Sequence, residues 1–390
     1  MNICFIGKHP LKPQLTDNRL DAPIFLHFAK TFDRVFLIFE SADGKDHHTV
    51  HGNVELFLIG GTHGLIGLAR FPMRAFWLGR MLHRRHGIDV VTSSEPFGSG
   101  LAAILLRRLE GIPFMFQIQG QLLNLPAGSY IPLRRWVTRQ VTRIVAVNAQ
   151  IIRCVSNDIR DTAIRSGISE RKLRLVGYRI DFEKFNHAES GEARENLRTK
   201  MGLCPDDFAL LFVGALLRDK GVYELVKALE LIVSAHPGAR LVFVGRGPER
   251  AGLEQAVASL GMADKVIFVG AVDHDEVPGY MAAADVFVLS SRHEGWGRVI
   301  AEAMAMALPT VASNVGGISD VLIDGETGLL LQSNSAEEMC EAVGRLIDDP
   351  ALRRRLGERG LEVAKREWPF KKQADELVRL HVELVWEASR

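Results

Sequence analysis

Cysteine is scarce in this chain. Its four thiols, Cys4, Cys154, Cys204 and Cys340, stand far apart and form no CxxC pair. That spacing argues against a zinc site, and reduced thiols in a cytoplasmic protein are the expected state. No apolar run approaches the roughly 18–20 residues of a membrane span. The N-terminus, MNICFIGKHP, lacks the charged start and small-residue cleavage site of a signal peptide, and reads as a buried first strand. Net charge is almost absent at +1, but that balance sums two opposites. Residues 1–184 carry 25 Lys+Arg and 15 Asp+Glu, a net of +10, while the remainder carries 23 and 32, a net of −9. Acidic residues are missing altogether between Glu110 and Asp158. A sign change between halves points to two domains with different partners, and 390 residues suffice for two domains of ordinary size. Hydrophobic content of 47% and charge of 24% are those of a soluble globular protein.

What is present is a strand–helix alternation. NICFIG (2–7), VFLIFE (35–40) and VELFLI (54–59) read as strands and residues 23–31 as a helix. Such alternation predicts an α/β fold with doubly wound parallel sheets, whose ligands gather at the carboxyl ends of the strands. The loop from Lys8 to Asn18 is therefore expected to face a substrate. A helix is predicted over 65–86, with Phe71, Ala75, Leu78 and Leu82 as its apolar stripe and Arg74, Arg80, Arg84 and Arg85 as a basic surface. Arg135, Arg139 and Arg143 recur every four residues in the next strongly helical stretch. Each is individually compatible with a solvated face. Together they suit an anionic membrane surface or lipid-linked acceptor met by the basic N-terminal domain. No nucleic-acid motif accompanies the charge. Gly98-Ser-Gly100 imitates a dinucleotide fingerprint, but the acid that should follow about 20 residues on is absent.

The second half is richer in chemistry. Strand ALLFVGAL (209–216) runs into LRDKG, where Lys220 stands in a Gly-flanked loop just before a helix, a natural phosphate ligand. Arg218 is either a second phosphate ligand or a surface charge. RLVFVGRGPER (240–250) gives another strand and a Gly245/Gly247 turn. Asp273-His274-Asp275 is read as a cap for a helix over 275–284 rather than as a metal site. The stretch from Ser290 to Gly317 follows an apolar strand, breaks at Gly295-Trp296-Gly297, and resumes as a helix to about Ala307, before Pro309. Glu294 and Glu302 lie eight residues apart across that break. Helix-start amides attract phosphate and carboxylates accept from sugar hydroxyls, so the combination suits a ligand carrying both.

The motif E-GWGRVIA-E, spanning Glu294 to Glu302, resembles the signature of glycosyltransferase family 4, the retaining group 1 transferases with the GT-B fold. The resemblance extends over most of the chain and is strongest in the second half. It implies two Rossmann-like domains facing each other across a cleft: residues 1–184 for the acceptor, 185–367 for the nucleotide sugar, and a last helix, 368–390, crossing back to the first domain. The polar stretch Asn186–Lys200 is expected to complete the linker. The family pattern implies catalytic roles for Glu294 and Lys220, with Arg218 in place of an arginine that this chain lacks at Ala215. It implies donor binding by Gly214, Gly245, Gly247, Val272, Glu294, Gly295, Trp296, Gly297, Glu302, Gly316 and Gly317, with Glu302 on the ribose. His9, Glu95 and Gln119 are the acceptor- or sugar-facing candidates, Gln119 standing where relatives often have histidine. The implied reaction moves a sugar from a nucleotide-diphosphate co-substrate to a saccharide or lipid-linked acceptor, in glycan or surface-polysaccharide assembly such as that of lipopolysaccharide. It implies no cofactor, no obligatory metal and no nucleic-acid partner, in a cytoplasmic protein peripheral to the plasma membrane. The alternatives are a non-catalytic nucleotide-sugar-binding scaffold on the same fold, or a nucleotide-sugar epimerase or phosphorylase.

Overall fold

The structure, a computed structural model, describes residues 1–11, 22–61, 64–125, 131–186 and 191–388. The chain divides into two compact units, Met1–Gly177 with Lys371–Arg390, and Tyr178–Phe370.

The first unit holds eight strands: β1 (Asn2–Leu11), β2 (Arg34–Ser41), β3 (His47–His51), β4 (Val54–Ile59), β5 (Val90–Ser93), β6 (Phe114–Ile118), β7 (Ile151–Cys154) and β8 (Leu173–Leu175). Their order is β3-β4-β2-β1-β5-β6-β7-β8, parallel except for the β3–β4 pair. Every residue of β5, β6 and β7 is buried, as a parallel sheet covered on both faces requires. Winding reverses between β1 and β5. The crossovers from β4 to β5, β5 to β6 and β6 to β7 all step the same way, so right-handed connection sets helices Gly64–His86, Leu101–Glu110 and Pro132–Asn148 on one face. Edge strand β3, His-His-Thr-Val-His, has too little apolar character to be foreseen from pattern.

A buried histidine marks the other face. His381, in the helix Phe370–Ala388, packs against Phe5 and Phe28. Its Nδ1 donates to the Leu377 carbonyl and its Nε2 accepts from the Thr92 hydroxyl, both at 2.6 Å. Those partners suit the neutral ring. Burial, with the nearby Arg153 charge adding to it, pulls its pKa down to about 4. The folded pKa lies below the unfolded one, so the stabilisation is fully present above pH 6.5 and is lost as pH falls through 4. We expect this unit to lose roughly 3 kcal/mol across that window. His381→Gln should flatten the loss in denaturant titrations at pH 7 and pH 4; an unchanged pH slope would contradict the assignment.

The second unit holds β9 (Phe208–Val213), β10 (Ala239–Val244), β11 (Val266–Gly270), β12 (Val286–Leu289), β13 (Thr310–Ser313) and β14 (Leu329–Leu331), all parallel, in the order β11-β10-β9-β12-β13-β14. Its winding reverses between β9 and β12, which makes the carboxyl ends of those strands the topological switch point.

Several expectations need correction. β1 runs on through Lys8–Leu11 to pair with Glu40 and Ser41, so this part is strand and not loop; residues 12–18 lie outside the described residues. Residues 191–200 are a helix and not linker: Arg194 and Arg198 both reach Asp285, at 2.7 and 3.1 Å; residues 187–190 lie outside the described residues. Residues 178–184 belong to the second unit rather than the first. Ile180 bridges to Pro369, and the Lys184 ammonium meets His274 and Asp275. Asp275, expected as a helix cap, makes that ion pair instead, and the helix Val277–Ala283 starts after Glu276.

Candidate functional site

The loops that leave the carboxyl edge of the second sheet meet one another through backbone contacts. After β9, residues Arg218–Lys220 form one 3-10 turn, and Gly221, at φ +66°, starts the helix Val222–Ala235. A Cβ on Gly221 would stand 1.9 Å from the Ser290 carbonyl oxygen, so only glycine allows the β9 and β12 loops to meet. The Ser290 hydroxyl closes the seam by donating to the carbonyls of Gly221 and Lys220, at 2.9 and 3.1 Å. After β10, Gly245 at φ +142° leaves only 1.9 Å between an added Cβ and the Gly214 carbonyl oxygen, and a Cβ on Gly247 would stand 2.1 Å from the Leu216 carbonyl oxygen. This turn is glycine-rich because backbone meets backbone there.

The seam brings Lys220 and Glu294 together. The Lys220 ammonium donates to Glu294 Oε1, and the Ser291 hydroxyl donates to the same oxygen at 3.2 Å. Both side chains are largely shielded, at 26% and 16% exposure. The Gly317 amide points at the Glu294 carbonyl at 3.4 Å, which draws the Gly316–Asp320 turn to the same place. Gly297 then starts the helix Arg298–Ala305 with no side-chain cap on its first amides. Trp296 is buried against Trp368 and Tyr178, so its indole is core.

Glu302 is 4% exposed and holds two cationic or donor groups that the sequence reading did not associate with it. Arg298 Nε donates to its Oε1 at 3.0 Å, and His274 Nε2 lies 3.0 Å from the same oxygen. His274 Nδ1 in turn lies 2.6 Å from the Lys184 ammonium, which fixes its tautomer as Nε2–H. The Arg298 partnership was legible as an i,i+4 pair on a helix. That of His274 was not, because two aspartates flank it and suggest capping.

The other expected residues are placed as follows. Arg218 lies away from the ion pair: its guanidinium sits 5.1 Å over the Tyr223 ring and 3.4 Å from Glu249, with 76% of its side chain exposed. Val272 follows β11 and is half-buried. In the first unit, the Glu95 carboxylate accepts the amides of Phe97, Gly98 and Ser99 and so caps the turn Pro96–Gly100 rather than pointing at solvent. Gln119 donates to Gln117 at 3.2 Å. His9 falls in β1, and its side chain lies outside the described residues. Among the described residues no group of His, Cys, Asp or Glu is arranged to hold a metal ion, and no helix is long and apolar enough to cross a membrane.

A switch-point edge with a shielded lysine, two carboxylates and uncapped helix amides has the character of an α/β anion site, suited to a phosphorylated ligand. Residues 193–363 match the family model described as glycosyl transferases group 1, and residues 27–179 the one described as glycosyl transferase 4-like domain. The alpha-D-kanosaminyltransferase of Streptomyces kanamyceticus is 30% identical over 334 residues, 83% of this chain and 85% of that one. Sucrose-phosphate synthase from Thermosynechococcus elongatus shares the fold with a TM-score of 0.83 at 22% identity, over 98% of this chain and 99% of that one. The HepE protein of Anabaena, solved in complex with UDP-glucose, does so with a TM-score of 0.78 at 18% identity, over 98% and 100%. The chain belongs to the group 1, family 4 glycosyltransferases of GT-B fold, and is a glycosyltransferase.

Proposed function

We propose that the protein transfers a sugar, with retention of anomeric configuration, from a nucleoside-diphosphate sugar bound by the loops of residues 214–317 to a saccharide or lipid-linked acceptor bound by the first unit. The observation that carries this reading is the shielded Lys220–Glu294 ion pair at the switch point. An arriving diphosphate competes with Glu294 for the lysine. Once Lys220 turns to phosphate, Glu294 is released to accept from hydroxyls of the transferred sugar. Charge that builds on the leaving diphosphate meets Lys220 and the helix-start amides at Gly297, so no obligatory metal is required. The diphosphate itself assists removal of the acceptor proton. Glu302 receives both of its bonds on Oε1, which leaves Oε2 for a ribose diol. Glycan or surface-polysaccharide assembly at the cytoplasmic face of a membrane is the proposed setting, supported by the +10 charge of residues 1–184.

The test is a thermal-shift screen against UDP-, GDP- and ADP-sugars, beginning with UDP-glucose. A donor at about 100 times its dissociation constant stabilises by roughly 2.7 kcal/mol. One nucleotide class should produce the shift, Glu302→Ala should remove it, and chelation by EDTA should leave transfer intact. No shift with any donor would sink the reading. Analysis of the product's anomeric configuration decides retention, and release of a sugar phosphate would point to phosphorolysis instead.

A further inference from the structure

The helix Pro132–Asn148 is turned the wrong way for a water-facing helix. It buries Thr138 and Thr142 and exposes Leu133 at 67%, Trp136 at 61%, Ile144 at 50% and Val147 at 48%. Those four positions are separated by three, eight and three residues, so they form one stripe along the helix. The arrangement recurs beside it. On the helix Gly64–His86, Met73, Trp77 and Met81 are each four residues apart and exposed at 48%, 56% and 42%. The helix Leu101–Glu110 packs against both and exposes Leu109 at 60%. All three helices lie on one face of the first sheet, for the crossover reason given above.

A large exposed apolar face of this kind needs an occupant, and its charge selects one. Between Gly64 and Asn148 the chain has eleven arginines and three acids, and no lysine. The acids are engaged: Asp89 accepts the Asn2 amide, Glu95 accepts three amides, and Glu110 takes Arg80. Arg139 and Arg143 are exposed beside the stripe of the helix Pro132–Asn148. Amphipathic tryptophan above an apolar stripe, rimmed by arginine, matches the boundary between anionic headgroups and acyl chains.

We propose that this three-helix face is a docking surface for an anionic lipid bilayer, with Trp136, Leu133, Ile144 and Val147 inserted at headgroup depth and Arg139 and Arg143 on the headgroups. This deepens the membrane setting proposed above. Its vesicle-binding assay contains no sugar nucleotide, so its failure and that of the transferase reading are distinguishable.

The full-length protein is sedimented with vesicles of phosphatidylcholine alone, and with vesicles containing about a third phosphatidylglycerol. Binding to the anionic vesicles only, weakened by salt, is expected. Arg139→Gln with Arg143→Gln should weaken it about thirtyfold, at ~1 kcal/mol for each arginine near the surface. Trp136→Ser with Ile144→Ser should weaken it about as much while also abolishing the residual binding at high salt. Because all four positions are exposed, thermal melts should match wild type, and the donor-induced shift should persist. Wild-type protein that ignores anionic vesicles overturns the proposal. So does binding unaffected by either double variant, or a protein dimer in analytical ultracentrifugation that Trp136→Ser with Ile144→Ser dissolves, which would make this face a protein interface.

Discussion

Replacing Lys220 by alanine should lower kcat/KM for transfer by about a thousandfold, the upper range for removing one positive donor from a developing oxyanion. Lys220 closes a 3-10 turn whose backbone is clamped by Ser290, so its ammonium is delivered to one place. In the structure that place is the Glu294 carboxylate. A diphosphate carries more charge than a carboxylate, and it gains still more as the sugar–phosphate bond breaks. On the proposed reading the lysine would bind the transition state better than the ground state, and the loss should fall mainly on kcat rather than on KM for the donor. Lys220→Arg should recover part of it, since the charge returns with a different geometry. Stability should change by no more than about 1 kcal/mol, because the ion pair is partly exposed and Ser291 still donates to Glu294. Steady-state kinetics with the donor found by the thermal screen give the split directly. A variant with unchanged kcat and raised KM would make Lys220 a ground-state phosphate ligand only.

Gly221→Ala should destabilise the second unit by about 3 kcal/mol or more. Two costs combine. The first is the left-handed backbone at φ +66°, worth roughly 1–2 kcal/mol for a residue with a Cβ. The second is the 1.9 Å approach of that Cβ to the Ser290 carbonyl oxygen, which the neighbouring strand ends cannot relieve without opening the seam. Gly261→Ala is the control. Its φ is +69°, but nothing lies within 4 Å of the added carbon, so it carries the first cost alone. Thermal melts of the two variants should differ by at least several degrees, at about 2–4 °C for each kcal/mol in a unit of this size. Equal melting points would mean that the seam yields, and that the Lys220 and Glu294 loops are not held together by it. Activity should fall with Gly221→Ala even at temperatures where the protein remains folded, since Lys220 would be displaced with the loop.

The two variants bear on different layers of what could be read in advance. Lys220, Glu294, Gly297 and Glu302 could be proposed from sequence because their chemistry is local: a lysine or glutamate beside glycines, between an apolar strand and a helical pattern, needs no knowledge of distant residues. The Arg298–Glu302 pair was open to the same reasoning, being one helical turn apart. The placing of Arg218 on Glu249 and Tyr223, and of Glu95 on three amides, was not. Position in sequence suggests ligand-facing roles for both, and the structure adds local partners that the sequence did not display.

Alternation of apolar runs with amphipathic stretches determined by itself that this chain would form parallel sheets wrapped by helices, because a strand that is apolar throughout can be buried only when both of its faces are covered. Glycine and charge at the strand ends pointed to where the proposed phosphorylated ligand would bind. Only the tertiary structure decided how those ends are joined. The contact of Gly221 with Ser290, and the Lys184–His274–Glu302 chain across separations of 90 and 28 residues, depend on strand order, which periodicity does not encode. The helix Pro132–Asn148 makes the same point. Its periodicity declares an apolar stripe, but whether that stripe faces inward depends on what the sheet offers beneath it. Here the sheet side takes the two threonines with Val145 and Ala146, and the tryptophan is left outside.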